Sequence, residues 1–124
     1  MARVLVIDDD DLVRETLGFM VESVGHSAIL AASYADGLRE MEARPAEVVI
    51  VDMYMPDRSG IEVVGELRQR FPGIPIIAMS GGGDAGGVEV LKAASDAGAA
   101  AVLRKPFGPD ELADTITRVL STHV

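Results

Sequence analysis

Five short apolar runs, each followed by a stretch with helical spacing, constrain the fold of this chain more than any other feature. The runs occupy residues 4–7, 28–31, 48–51, 74–79 and 100–103. Their apolar residues are continuous rather than alternating, which is typical of strands buried on both faces of a parallel sheet. The sequence therefore predicts five strands, most of them without a solvent-facing side.

Apolar residues with helical spacing lie after each run and predict five helices. The proposed core faces are, in order, Leu12, Leu17, Met20, Val21 and Val24; Leu38 and Met41; Ile61, Val64, Leu67 and Phe71; Val88, Leu91 and Ala94; and Leu112, Ile116, Val119 and Leu120. Gly25, Gly73 and Gly98 follow the first, third and fourth helices, where a positive φ is useful, and Pro109 precedes the fifth. A βα unit repeated five times predicts an α/β fold with a doubly wound parallel sheet and helices on both faces.

Length, cysteine content and net charge exclude several classes of protein for this chain. A chain of 124 residues predicts one domain spanning 1–124. The absence of cysteine excludes disulfides, a thiolate zinc site and a cysteine nucleophile. The net charge of −9 disfavours binding to nucleic acid or to an anionic membrane surface. No apolar run approaches a membrane span, and the amino terminus lacks the features of a signal peptide, so we expect a soluble cytoplasmic protein.

Chemistry is expected where the strands end, because ligands of open α/β sheets bind outside the carboxyl ends of the strands. Asp8 and Asp9 follow the first strand, Asp52 follows the third, Ser80 the fourth and Lys105 the fifth. Neighbouring first and third strands would bring the three carboxylates together, where they repel unless a cation neutralises them. Mg²⁺ favours such oxygen ligands. A lysine and a hydroxyl at the same edge can bind phosphate oxygens.

Other features have simpler interpretations. Asp10 and Asp11 are interpreted as helix N-caps. Gly81, Gly83 and Gly86 match G-x-G-x-x-G, but the expected downstream acid is replaced by basic residues and only one strand follows, so a dinucleotide site is rejected. His26 and His123 are isolated, and we expect them to be exposed and without a catalytic role.

Four short motifs, each at a strand end and in this order, resemble the receiver domain of two-component response regulators, similar to the chemotaxis receiver. They are Val6-Ile7-Asp8-Asp9, Val51-Asp52-Met53-Tyr54-Met55-Pro56 with Gly60, Met79-Ser80-Gly81, and Lys105-Pro106-Phe107. The resemblance covers nearly the whole chain. It implies a flavodoxin-like (βα)5 fold with strand order 2-1-3-4-5.

The resemblance also implies site roles. Asp52 would be the phosphoacceptor, a nucleophile that becomes an aspartyl phosphate. Mg²⁺ would be bound by Asp9, Asp52 and the backbone carbonyl of Tyr54, with Asp8 acting mainly through a metal-bound water. Lys105, joined to Pro106 by a cis bond, would pair with a phosphoryl oxygen.

Ser80 would donate to a second phosphoryl oxygen, and the backbone N–H of Gly81 would contribute another contact.

The expected function is a stand-alone receiver phosphorylated by a histidine kinase or phosphotransfer protein, not an enzyme acting on other substrates. Phosphorylation would change a face formed by the fourth helix, fifth strand and fifth helix, which would bind a downstream protein. We expect a monomer or weak dimer. Family members often carry an aromatic residue where Val102 stands, so this sequence departs from the aromatic half of the usual switch. Residues 81–87 include five glycines and predict a longer loop than is usual in the family, leading into the fourth helix.

Two alternatives from other classes remain open at this point, as does the possibility that the chain is part of a larger regulator. A flavodoxin-like cofactor-binding domain would share the topology, although an acidic first loop would repel a flavin phosphate. An aspartate-nucleophile phosphatase would usually carry a second aspartate where Tyr54 stands.

Overall fold

The computed structural model describes residues 1–81 and 87–122 and shows five strands alternating with five helices. The elements are β1 (Arg3–Ile7), α1 (Asp11–Ser23), β2 (Ser27–Ala31), α2 (Tyr34–Ala43), β3 (Val48–Asp52), α3 (Gly60–Arg70), β4 (Ile76–Ser80), α4 (Gly87–Asp96), β5 (Ala101–Arg104) and α5 (Pro109–Thr122). All strand pairs are parallel and the sheet order is β2-β1-β3-β4-β5. The predicted fold class and strand order are confirmed.

The strand register aligns the carboxyl ends along one edge of the sheet. Ile7 pairs with Val51, so the residues that follow, Asp8 and Asp52, leave neighbouring strands at the same level. Ser80 at the end of β4 pairs with Arg104 at the end of β5. This edge, which we call the carboxyl edge, therefore collects residues from four strand ends: Asp52 and Ser80 are the last residues of β3 and β4, and Asp8 and Lys105 directly follow β1 and β5.

The apolar core forms two layers, one on each face of the sheet. The first layer packs α2, α3 and α4 on the sheet, with Met41, Leu67 and Leu91 among its members. The second packs α1 and α5, with Val21 and Ile116 among its members. Residues of one strand alternate between the layers, as a doubly wound sheet requires.

The edge strands and the first turn of α1 differ from the sequence prediction. Leu30 in β2 is 41% exposed and Val102 in β5 is 39% exposed, because the helices cover the central strands more completely than the edges. Leu12, predicted in the core, is 73% exposed. The first turn of α1 lies at the carboxyl edge, where Leu12 lines a surface groove with Pro106 and Phe107.

Smaller predictions have mixed outcomes. Gly25 and Gly98 have φ values of 96° and 115°, whereas Gly73 does not have a positive φ, because α3 has already ended at Arg70. Pro109 is the first residue of α5 rather than the residue before it.

His26 differs from the expectation of an exposed side chain: it is half-buried, and its Nδ1 accepts a hydrogen bond from the backbone N–H of Ala2 at 2.9 Å. The sequence also makes predictions for the Val88 side chain, Gly83, Gly86 and His123, which lie outside the described residues.

Candidate functional site

Three carboxylates and one ammonium group meet at the carboxyl edge. Asp8 is fully buried, Asp52 is 6% exposed, and Asp9 is exposed. One carboxylate oxygen from each of the three lies within 4.8 Å of the others. The Lys105 ammonium lies 2.9 Å from Asp8 Oδ2 and 3.5 Å from Asp52 Oδ2. The structure thus brings together the four charged groups that the sequence predicted there, and we call them the acidic site.

The β1–α1 turn holds Asp8 in place. Asp8 Oδ1 accepts a hydrogen bond from the Asp10 backbone N–H at 2.9 Å, and the Asp8 carbonyl accepts one from Arg14 Nη1 at 2.9 Å. Arg14 also pairs with Asp11 at 2.6 Å. These contacts fix the carboxylate of Asp8 before any ligand arrives.

Asp10 is the N-cap of α1, as predicted, and its side chain accepts from the backbone N–H groups of Leu12 and Val13. Asp11 was also read as a cap, but it is the first helical residue, where a carboxylate interacts favourably with the helix dipole.

Asp52 lies at the end of β3 with its two carboxylate oxygens in different environments. Oδ1 accepts a hydrogen bond from the backbone N–H of Tyr54 at 3.2 Å, and Oδ2 faces Lys105. Burial raises the pKa of Asp52, and the charge of Asp8 adds to this, while Lys105 and the Tyr54 N–H act in the opposite direction. The net upward shift shows that the protein holds this carboxylate at an electrostatic cost.

Lys105 stays charged at this site. Burial acts to lower the pKa of its ammonium group, but the hydrogen bond to Asp8 and the charges of Asp52 and Asp8 outweigh burial, so the pKa lies above its usual value. The backbone N–H of Lys105 donates to the Ser80 carbonyl at 2.8 Å, which fixes its position beside β4. The Lys105–Pro106 peptide bond is cis.

Ser80 is fully buried at the end of β4. Its hydroxyl oxygen has no hydrogen-bond partner in the described part of the chain. Buried hydroxyls are usually paired, so this one has capacity for a ligand atom. Gly81 follows directly and a Cβ placed there would meet open space. The rest of the glycine-rich loop, residues 82–86, lies outside the described residues.

The segment after β2 contributes a residue that the sequence analysis did not identify. Tyr34, the first residue of α2, is fully buried, and its hydroxyl donates a 2.6 Å hydrogen bond to the carbonyl of Asp52. Burial raises the pKa of the Tyr34 phenol well above its usual range, with Asp52 and other carboxylates adding to the effect. The phenol therefore remains a hydrogen-bond donor. The one available signal was its position just after a predicted strand end.

Asp57 was also missed. Its Oδ2 accepts from the backbone N–H groups of Tyr34 at 3.1 Å and Ala35 at 3.4 Å. Asp57 follows β3, so a residue from one loop caps a helix that begins after another strand. Sequence spacing gives no sign of such a contact, because 23 positions separate Asp57 from Tyr34.

An apolar groove of about 260 Å³ adjoins the acidic site. It lies between α1 and the segment after β5, and its lining residues are Leu12, Val13, Thr16, Leu17, Met20, Lys105, Pro106 and Phe107. Lys105 borders both the groove and the carboxylates.

No helix among the described residues is long and apolar enough to cross a membrane.

The model of the response regulator receiver domain family matches residues 4–117. The chain belongs to this family. The flavodoxin-like cofactor-binding alternative is thereby set aside. The chain is therefore the receiver domain of a two-component response regulator.

Relatives and solved structures agree with the assignment. The chain is 39% identical over 112 residues to the transcriptional regulatory protein KdpE of Mycobacterium tuberculosis, covering 90% of this chain and 47% of that one. It is 35% identical over 124 residues to KdpE of Escherichia coli K12, covering 99% and 53%. The chain thus spans about half the length of these relatives. A receiver domain structure from Clostridium thermocellum superposes with a TM-score of 0.89 at 31% identity, covering 98% of this chain and 96% of that one.

Proposed function

We propose that this receiver domain accepts a phosphoryl group on Asp52 from the phosphohistidine of a partner histidine kinase or phosphotransfer protein. The observation that carries the proposal is the acidic site at the carboxyl edge. There the buried carboxylate of Asp52 has two further carboxylate oxygens within 4.8 Å and the Lys105 ammonium at 3.5 Å. Structural stability alone does not favour such an arrangement, since burial raises the pKa of Asp52.

The proposed reaction is in-line phosphoryl transfer. A carboxylate oxygen of Asp52 attacks phosphorus, the P–N bond to the donor imidazole breaks, and the electron pair of that bond returns to the imidazole nitrogen. Lys105 moves from its carboxylate partners to a phosphoryl oxygen, and the Ser80 hydroxyl donates to a second one. The backbone N–H of Gly81 supplies a further donor. The support is the position of the Lys105 ammonium between Asp8 and Asp52, together with a Ser80 hydroxyl that has no hydrogen-bond partner among the described residues.

The donor set fits Mg²⁺, which takes hard oxygen ligands and is commonly held by one or two carboxylates. Asp9, Asp52 and the carbonyl of Tyr54 would hold the ion, and Asp8 would act mainly through a bound water. The fit rests on the three carboxylate oxygens within 4.8 Å of one another. When bound, the ion would neutralise charge on the carboxylates and on the transferred group.

The phosphodonor must place its histidine against Asp52, so its docking surface must adjoin the acidic site. The apolar groove lined by Leu12, Pro106 and Phe107 meets this requirement, because Lys105 belongs to both features. Phosphorylation would then shift an equilibrium between two conformations and change the face formed by α4, β5 and α5. In this proposal the domain is a regulatory substrate that catalyses only its own modification.

The experiment is intact-mass measurement after incubation with acetyl phosphate, with and without Mg²⁺. We expect a Mg²⁺-dependent gain of one phosphoryl group in the wild type and none in Asp52→Ala. Asp114→Ala, which removes an exposed aspartate of α5, is the matched control and is expected to behave as the wild type. A phosphoryl gain that persists in Asp52→Ala would contradict the assignment of the acceptor. No gain with either acetyl phosphate or a phosphorylated kinase would contradict the function.

A further inference from the structure

One residue of α2 contacts both ends of the loop that follows Asp52. The loop, residues 53–59, connects β3 to α3. At its start, the Tyr34 hydroxyl donates to the Asp52 carbonyl at 2.6 Å. Near its end, the Asp57 carboxylate accepts from the backbone N–H of Tyr34 at 3.1 Å. Tyr34 therefore joins the two ends of this loop to the start of α2.

The hydroxyl contact completes the bonding of a single peptide group. The Asp52–Met53 peptide has its carbonyl bonded to Tyr34, and its N–H donates to the Met79 carbonyl at 2.9 Å. The two bonds come from different elements, one from α2 and one from β4. Because both polar groups are held, the plane of this peptide cannot rotate without losing one of them.

The orientation of the Asp52–Met53 peptide plane determines the positions of two groups of the acidic site, the Asp52 carboxylate before it and the Tyr54 N–H after it. The Asp52 side chain leaves the Cα atom just before it, and the Tyr54 N–H that donates to Asp52 Oδ1 follows it by one residue. Rotation of the plane would displace the Tyr54 N–H and release Oδ1. Oδ2 would then no longer be directed toward Lys105 at its present 3.5 Å.

We infer that Tyr34 is a positioning residue, whose hydroxyl orients the Asp52–Met53 peptide and thereby the carboxylate of Asp52. Its effect on phosphorylation rests on the function proposed above, whereas its effect on the peptide does not. The buried ring by itself fills the core, and phenylalanine would fill the same space. The hydroxyl is therefore the part of the side chain that distinguishes positioning from packing.

The test is Tyr34→Phe, which keeps the ring and removes the donor. The first readout is amide hydrogen exchange of Met53 and Tyr54 by NMR in metal-free protein. We expect exchange of the Tyr54 amide to accelerate about tenfold, the change that loss of one ordinary hydrogen bond produces. The second is the rate of phosphorylation by acetyl phosphate with Mg²⁺. We expect it to fall about tenfold, because small misplacement of a reacting group is costly.

Ser33→Ala is the matched control. It removes the N-cap bond from the Ser33 hydroxyl to the Asp36 N–H, at 3.1 Å, in the same turn of α2. It should lower the thermal midpoint as Tyr34→Phe does, but leave both the Tyr54 amide and the phosphorylation rate unchanged. A general loosening of α2 would instead affect both variants alike and would overturn the inference.

The remaining outcomes are also decisive. If the Tyr54 amide of Tyr34→Phe exchanges at the same rate as in the wild type, the inference is overturned. It is also overturned if this amide exchanges faster but the phosphorylation rate is unchanged. If the wild type itself gains no phosphoryl group, the proposed function fails, and the exchange measurement alone decides whether Tyr34 orients the peptide.

Discussion

Two clusters of charged side chains among the described residues differ in their balance of positive and negative charge and in their burial. The acidic site holds three carboxylates against one ammonium group, and two of its members, Asp8 and Asp52, are buried. The second cluster, which we call the helix network, joins α2, α3 and the loop before α3. Its members are Glu42, Arg58, Glu66 and Arg70, two acids and two bases.

The helix network is satisfied within itself. Glu66 pairs with Arg58 at 2.7 Å and with Arg70 at 3.2 Å, and Arg70 also pairs with Glu42 at 2.9 Å. These side chains are between 28% and 55% exposed, so water screens their charges. In the acidic site the negative and positive charges are not equal in number, and two of the carboxylates are buried from water. Its excess negative charge is suited to binding a cation rather than to stability alone.

The largest expected effect is the loss of the one cation in the acidic site. Lys105→Met would leave the fully buried carboxylate of Asp8 without its ionic partner. We expect the free energy of unfolding to fall by about 2 kcal/mol, less than the ~3–5 kcal/mol for a wholly buried pair, because Lys105 is partly exposed. Urea denaturation in EDTA at neutral pH measures this.

Lys92→Met is the matched control for this variant. Lys92 is the one other lysine of the chain and lies exposed on α4. Its replacement should change stability by less than about 0.5 kcal/mol, as for ordinary surface positions. Equal losses in the two variants would show that the acidic site gains nothing from its cation, and the contrast between the clusters would fail.

A smaller effect of opposite sign is expected when one carboxylate of the acidic site is neutralised. Asp52→Asn removes a buried negative charge close to Asp8, and we expect metal-free protein to gain about 1 kcal/mol of stability at neutral pH, the scale of one close charge contact. Because the pKa of Asp52 is raised, the folded protein binds a proton there more tightly than the unfolded chain does. The contribution of this group to stability therefore falls as pH rises from the ordinary aspartate pKa of the unfolded chain to the raised pKa of the folded protein.

The pH series checks the sign. The stability difference between Asp52→Asn and the wild type should be full above the raised pKa of Asp52. It should vanish in acid, well below the ordinary aspartate pKa of about 3.9, where Asp52 is protonated in both the folded and the unfolded state. Thermal unfolding in EDTA across this range measures it. A variant that is less stable than the wild type at neutral pH would contradict the electrostatic cost assigned to the site.

The acidic site could be predicted from sequence because it depends on strand ends. Once β1 and β3 are neighbours, Asp8 and Asp52 must leave the sheet at the same edge, whatever the details of side-chain packing. The central strands were equally predictable, since their continuous apolar runs leave few alternatives to burial. The position of Lys105 at the same edge follows in the same way from its place after β5.

Contacts that depend on the reach of side chains could not be predicted. The hydrogen bond from Tyr34 to the Asp52 carbonyl requires the first turn of α2 to approach the end of β3 across the β1 strand position, and no local pattern encodes that approach. Asp57 caps the same helix from another loop. Exposure of Leu12 likewise depends on where the groove beside Pro106 opens, which periodicity does not show.

The smallest expected effect belongs to the helix network. The hydrogen bond from Arg58 lowers the pKa of Glu66, burial acts in the opposite direction, and Arg70 adds to the lowering. A lowered pKa means that the pair stabilises the fold above the ordinary glutamate pKa and loses this contribution as pH falls through the lowered value. Because the side chains are partly exposed, Glu66→Gln should cost about 0.5 kcal/mol at neutral pH and nothing in 1 M salt. Glu62→Gln, an exposed acid of the same helix, is the control. A loss above about 2 kcal/mol that persists in high salt would mean that Glu66 behaves like a buried charge, and the two clusters would then share one kind of electrostatics.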